Sequence, residues 1–140
     1  MIRSIVLLAL AAALSTAALA EGDLGLKPIK LDDLVIGTGD SGYGVSRKDF
    51  DLVTGKAYQL LVKSTGAKEC AWEAPEFANT IWLRKVEAGD VEIKASHLTE
   101  LEFEGEGEAE IFFVPIRPGT YAWRCRGLEQ RGVSGKFTIK

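Results

Sequence analysis

Methionine is almost missing from this sequence of 140 residues, where Met1 is the only one. Histidine is limited to His97, and cysteine to Cys70 and Cys125. Past residue 1, these three groups are the whole stock of soft or nitrogen metal ligands. A centre that needs two imidazoles, or a thioether from an internal position, cannot be built from one copy. A basic excess is missing too. Lys and Arg total 17 against 20 Asp and Glu, for a formal net charge of −3. Nucleic-acid phosphates demand a basic face, so no nucleic-acid partner is expected. There is no C-x-x-C pair and no nucleophile elbow, and an enzyme is not expected. Beyond residue 20 no apolar run is long enough to span a membrane, so no transmembrane segment is expected in the mature chain.

The one long apolar run stands at the start. Arg3 supplies a positive n-region, Ile5 to Leu14 an apolar core, and Ala18-Leu19-Ala20 a small-x-small cleavage site. This pattern predicts a signal peptide over residues 1–20 and a mature domain over 21–140. That length suits one domain with a single core. Export leads to an oxidising compartment, where an even cysteine count makes a disulfide the default.

The mature chain reads mostly with period two. Residues 21–32 look like a loosely ordered lead-in. Strands are predicted at Val35-Ile36, Ala57–Val62, Thr80–Val86, Val91–Ala95, Tyr121–Cys125 and Lys136–Lys140. Thr99–Phe103 and Ala109–Val114 flank a Glu-Gly-rich turn and read as a hairpin. Many short strands with close turn signals argue for an all-β sandwich or barrel. The best helix candidate is short, at Arg47–Leu52.

Several motifs have an ordinary explanation. Gly37-Thr38-Gly39-Asp40-Ser41-Gly42 matches G-x-G-x-x-G, but a dinucleotide site needs a helix after the glycines. Here Tyr43-Gly44-Val45-Ser46 comes next and favours a strand, so the glycines read as a loop needing positive φ. Glu100, Glu102, Glu104, Glu106, Glu108 and Glu110 alternate with apolar residues. This is the pattern of a solvated strand face, with a weak calcium site as the functional alternative. His97 reads as a polar loop residue. Trp72, Trp82 and Trp123 are expected in or near the core.

The stretch EIFFVPIRPGTYAWRCRGLEQRGVSGKFTIK, residues 110–140, resembles the C-terminal part of the cupredoxins. The likeness rests on Pro118-Gly119-Thr120-Tyr121, Cys125 and Gly132-Val133-Ser134-Gly135. GKAYQLLVKSTGAKECAWEAPEF, residues 55–77, resembles the strand and loop that carry the family's first His. The resemblance covers residues 33–140 and is nearest to cupredoxin-like domains of bacterial copper-binding and iron-uptake proteins. It implies a Greek-key β-sandwich of the cupredoxin type. A blue-copper site takes two His, a Cys thiolate and a weak axial Met. The resemblance places Cys125 at the thiolate position, Leu128 at the second His and Val133 at the axial Met. The first His falls near Glu69 or Cys70. A simple blue-copper electron carrier is therefore not expected.

The family's first His and Cys share one metal, so the resemblance implies that Cys70 and Cys125 are neighbours. Two readings stay open. In one they form a disulfide, worth roughly 4 kcal/mol in the chain-entropy model, in a metal-free module that binds a partner protein or ligand. In the other both thiols stay reduced, and Cys125 and Cys70, with Glu69 or Glu129, hold Cu(I) or Zn(II). Arg117, Arg124, Arg126 and Arg131 lie close in sequence, as ordinary surface charge or as cations favouring a thiolate. The reading preferred on the resemblance is a periplasmic or secreted copper-handling protein with a non-blue or degenerate site. Its expected partner is a periplasmic redox or metal-transport protein.

Overall fold

The computed structural model describes Gly25 and residues 27–140. The predicted signal peptide lies outside the described residues, as does most of residues 21–26. In chain order the strands are β1 (Ile29–Lys30), β2 (Leu34–Thr38), β3 (Gly44–Val45), β4 (Asp49–Leu52), β5 (Tyr58–Thr65) and β6 (Cys70–Glu73). After a one-turn helix α1 (Pro75–Ala78) come β7 (Ile81–Ala88), β8 (Val91–Ile93), β9 (Leu101–Phe103), β10 (Glu106–Pro115), β11 (Gly119–Cys125) and β12 (Ser134–Ile139).

These strands form two sheets. The first runs β3-β2-β5-β10-β7-β8, with β1 also pairing with β5; the second runs β4-β12-β11-β6-β9. β1 and β2 pair with β5 in parallel, as does β4 with β12; the other pairings are antiparallel. The architecture is an all-β sandwich, as the period-two pattern predicts. The alternation sets the inner faces: Tyr58, Leu60 and Val62 of β5 face the core, as do Trp123 and Cys125 of β11. Phe77 of α1 stacks on Phe137 with ring centroids 3.9 Å apart and meets Phe113 edge-on.

Four local expectations are corrected. Arg47–Leu52 is not a helix. Asp49, Phe50, Asp51 and Leu52 alternate out and in, and they pair with Lys136–Ile139 as β4. Thr99–Phe103 and Ala109–Val114 are not hairpin partners. β9 pairs with β6 in one sheet and β10 with β5 and β7 in the other, so the chain crosses the sandwich at Glu104-Gly105. The acidic row therefore divides between two sheets, while Phe103 and Ala109 still point inward. The lead-in contains β1. Trp82 is 41% exposed, whereas Trp72 and Trp123 are buried. The Gly-rich loop behaves as predicted: Gly37, Gly39 and Gly42 have φ of 89°, 73° and 70°, and β3 comes directly after.

Candidate functional site

Cys125 ends β11, and Cys70 begins β6 beside it. Trp72 is the register partner of Cys125, which makes Cys70 its diagonal neighbour on the same inward face. The two cysteines form a disulfide, with Cα atoms 5.1 Å apart and a sequence separation of 55. Both are essentially inaccessible, at 2% for Cys70 and 0% for Cys125. Among the described residues there is no free cysteine.

The loop after Cys125 is tied down along its length. The Cys125 N–H donates to the Val133 carbonyl at 3.1 Å, and the Leu128 N–H to the Cys125 carbonyl at 2.9 Å. A single 3₁₀ turn at Glu129–Arg131 ends at Gly132, whose φ of 82° reverses the chain. Val133 is buried and Leu128 packs against the core. The far side of the loop rests on a close backbone approach. Trp123 Nε1 and the Lys136 N–H both donate to the Lys48 carbonyl, at 2.9 and 2.8 Å. A Cβ at residue 135 would sit 1.8 Å from that carbonyl oxygen, so only glycine fits.

Outside the sheet, the side chains that alternate with the cysteines form an ion-pair network. Arg124 donates to Glu73 through Nε at 2.8 Å, its Nη2 pairs with the same carboxylate at 2.7 Å, and its Nε lies 3.3 Å from Glu129. The Glu73 hydrogen bond, followed by its charge, raises the Arg124 pKa. Arg126 reaches Glu73 at 3.6 Å and Glu100 at 3.0 Å. Arg131 lies over the Tyr43 ring, 5.2 Å from its centroid. Glu129 is thus engaged by Arg124, while Glu69 is an exposed residue next to Cys70. His97 is exposed in the segment between β8 and β9.

Among the described residues, no group of three or more His, Cys, Asp or Glu side chains is placed to hold a metal ion. The donor chemistry agrees. A disulfide sulfur lacks thiolate charge, and Leu128 and Val133, at positions the resemblance gives to ligands, are hydrocarbon. The residues present do not fit a blue-copper centre. Among the described residues no helix is long and apolar enough to cross a membrane.

Sequence reasoning passed over Glu73, the carboxylate that both flanking arginines share. Its signal was present: Glu73 and Arg124 sit on outward positions of neighbouring strands, and the register pairs them. The buried indole N–H of Trp72, which has no acceptor among the described residues, was also missed. Burial could be expected for a tryptophan, but the lack of an acceptor is a tertiary fact.

No family model matches the chain, and no curated protein matches it. Solved structures do. A multicopper oxidase from Campylobacter jejuni, described as a metallo-oxidase, has a TM-score of 0.57 at 12% identity, over 81% of this chain and 30% of its own. A multi-copper oxidase from Pseudomonas thermotolerans gives 0.56 at 14%, over 92% and 33%. The McoA multicopper oxidase of Aquifex aeolicus gives 0.60 at 9%, over 81% and 29%. The chain spans about a third of the length of these oxidases. At such identities the likeness is one of fold, which is cupredoxin-like, and the fold alone does not carry the oxidases' activity.

Proposed function

We propose that this chain is an exported cupredoxin-fold module in which a disulfide has taken the metal's place, and that it acts by binding a partner protein in the periplasm. One observation carries this reading: both thiols of the resemblance's metal position are joined in the Cys70–Cys125 bridge. The outer surface over the bridge is a polar network of Arg124, Glu73, Arg126 and Glu100. The partner class that suits an exported domain of this fold is a redox or metal-transport protein of the same compartment.

Copper handling is the second reading, and the same bridge favours it once reduced. Reduction would leave two sulfurs already adjacent, and two thiolates suffice to hold Cu(I) for transfer. Glu69 and Glu129 are the carboxylates nearest in sequence. Native mass spectrometry of the exported protein, offered Cu(I) anaerobically, separates the two. Without reductant the metal-free module shows a mass lower by two hydrogens and no copper; after reduction it regains the two hydrogens and still retains no copper. One copper retained after reduction establishes the second reading. Copper retained by the untreated protein contradicts both.

A further inference from the structure

We infer a docking groove between β9 and the start of β10 for an extended segment of a partner protein, one in which Lys or Arg alternates with small apolar residues. The groove has a volume of about 290 Å³. Phe103 and Ala109, which point into the sandwich, give it an apolar floor together with Leu101. Glu102, Glu104, Glu106 and Glu108 line it with exposed carboxylates.

A free sheet edge runs along this groove. The N–H groups of Ile29 and Leu31 donate to the carbonyls of Ala57 and Gln59. Successive residues of a strand turn their N–H and C=O to opposite sides, so the even-numbered residues of β5 face β10. Val62 and Ser64 are in register with Ala109 and Gly107, and the pairing runs without a shift. Glu106, Glu108 and Glu110 therefore face the other way, toward β7. The last pair there is Glu87 with Glu110, after which the chain turns back into β8. The peptide groups of Glu106 and Glu108 are left facing the groove, and among the described residues no backbone hydrogen bond reaches them from that side.

Charge selects what can pair there. At the ends of the acidic row Arg126 holds Glu100, and Gln59 donates to Glu110 at 2.9 Å; Lys63 reaches Glu108 at 4.0 Å. Glu102, Glu104 and Glu106 have no cation or side-chain donor among the described residues. Like charge along an edge discourages pairing with the same edge of a second copy. A cationic segment relieves that repulsion and is steered to the groove. Added as a strand, it satisfies the peptide groups of Glu106 and Glu108. One of its faces meets the apolar floor and the other the carboxylates, which calls for apolar and basic residues in alternation. The inference rests on the reading of the chain as a partner-binding module. Its test leaves the bridge intact, so it can fail while that reading stands.

The test uses ¹⁵N-labelled protein with its disulfide intact. The probe is the end-blocked peptide Lys-Val-Lys-Val-Lys, and the control is Lys-Lys-Lys-Val-Val, of the same composition and charge. The expected result is a saturable set of shifts centred on residues 101–109, with binding roughly three- to tenfold tighter than the control, as one or two hydrogen bonds provide. Amide exchange should slow at Glu106 and Glu108 and stay unchanged at Gly107 and Ala109, which already pair with β5. Glu104→Gln and Glu106→Gln, isosteric changes at exposed positions, should each weaken binding roughly two- to fivefold, a loss that added salt shrinks. No saturable shift, or shifts that bypass residues 101–109, overturns the site. Equal affinity for the two peptides overturns strand addition. Unchanged binding in both glutamine variants overturns the role of the carboxylates. A protein that sediments as a dimer, with Glu106 and Glu108 protected before any peptide is added, assigns the edge to a second copy and overturns the cationic occupant.

Discussion

The loop of residues 126–133 and the segment of residues 94–100 both connect strands at the rim of the sandwich, yet different forces hold them. The first hangs from a disulfide at Cys125 and closes on itself through backbone hydrogen bonds at Cys125, Leu128, Arg131, Gly132 and Val133. Among the described residues the second has no backbone bond over residues 95–99; between its ends, where Glu100 pairs with Arg126, it rests on two apolar side chains. A loop fixed by covalent and backbone bonds keeps its shape whatever its side chains do. This is how the loop can hold its shape with hydrocarbon side chains at Leu128 and Val133. A stretch held mainly by packing opens at smaller cost.

The firmly held loop is most severely disrupted at Gly135. Gly135→Ala drives a methyl into the Lys48 carbonyl, where the backbone cannot yield. We expect a loss of at least about 4 kcal/mol, read as failure to fold or a collapse of the thermal midpoint. An alanine variant of near wild-type midpoint would mean that the close approach is not as described.

Cys70→Ala comes next. Opening the bridge returns loop entropy to the unfolded chain, for a loss of about 4 kcal/mol, or a thermal midpoint lower by on the order of 10–20 °C. Added reductant should then shift the wild type and leave the variant unmoved. An unchanged midpoint in non-reducing conditions would remove the covalent tie as a difference between the two regions.

The smallest effect is expected at the foot of the loose segment. Hydrogen bonds from Lys94 and then Lys85 hold the Glu92 pKa down to about 2, against its ordinary 4.5. A carboxylate with a depressed folded pKa contributes fully at neutral pH. Its contribution fades as pH falls from about 4.5 toward about 2. Through that window the amides of β8 should lose protection relative to their intrinsic exchange rates, while those of Cys125 and Val133 keep theirs. Matching losses in both regions would erase the distinction.

The same two regions show how far the residues could be read unaided. The alternating strands around β5, β10 and β11 were legible because one buried face imposes period two. β4 was legible in principle: Asp-Phe-Asp-Leu alternates perfectly, but four residues give helix and strand templates little to separate them. The crossing between β9 and β10 was not, since a Glu-Gly turn serves a hairpin and a change of sheet equally well. At the site, the neighbouring cysteines came from the resemblance to cupredoxins, not from spacing. The Glu73 clamp and the lone Trp72 N–H depend on which strands lie side by side, which no local pattern records.

The central claim, that the bridge stands where a metal would, is tested most directly by returning the ligands. The triple variant Cys70→His, Leu128→His, Val133→Met frees Cys125 and supplies the missing imidazoles and thioether. With Cu(II) it should develop an intense visible absorption band. A variant that folds, shown by its near-ultraviolet circular dichroism, yet stays colourless with Cu(II) would contradict the claim.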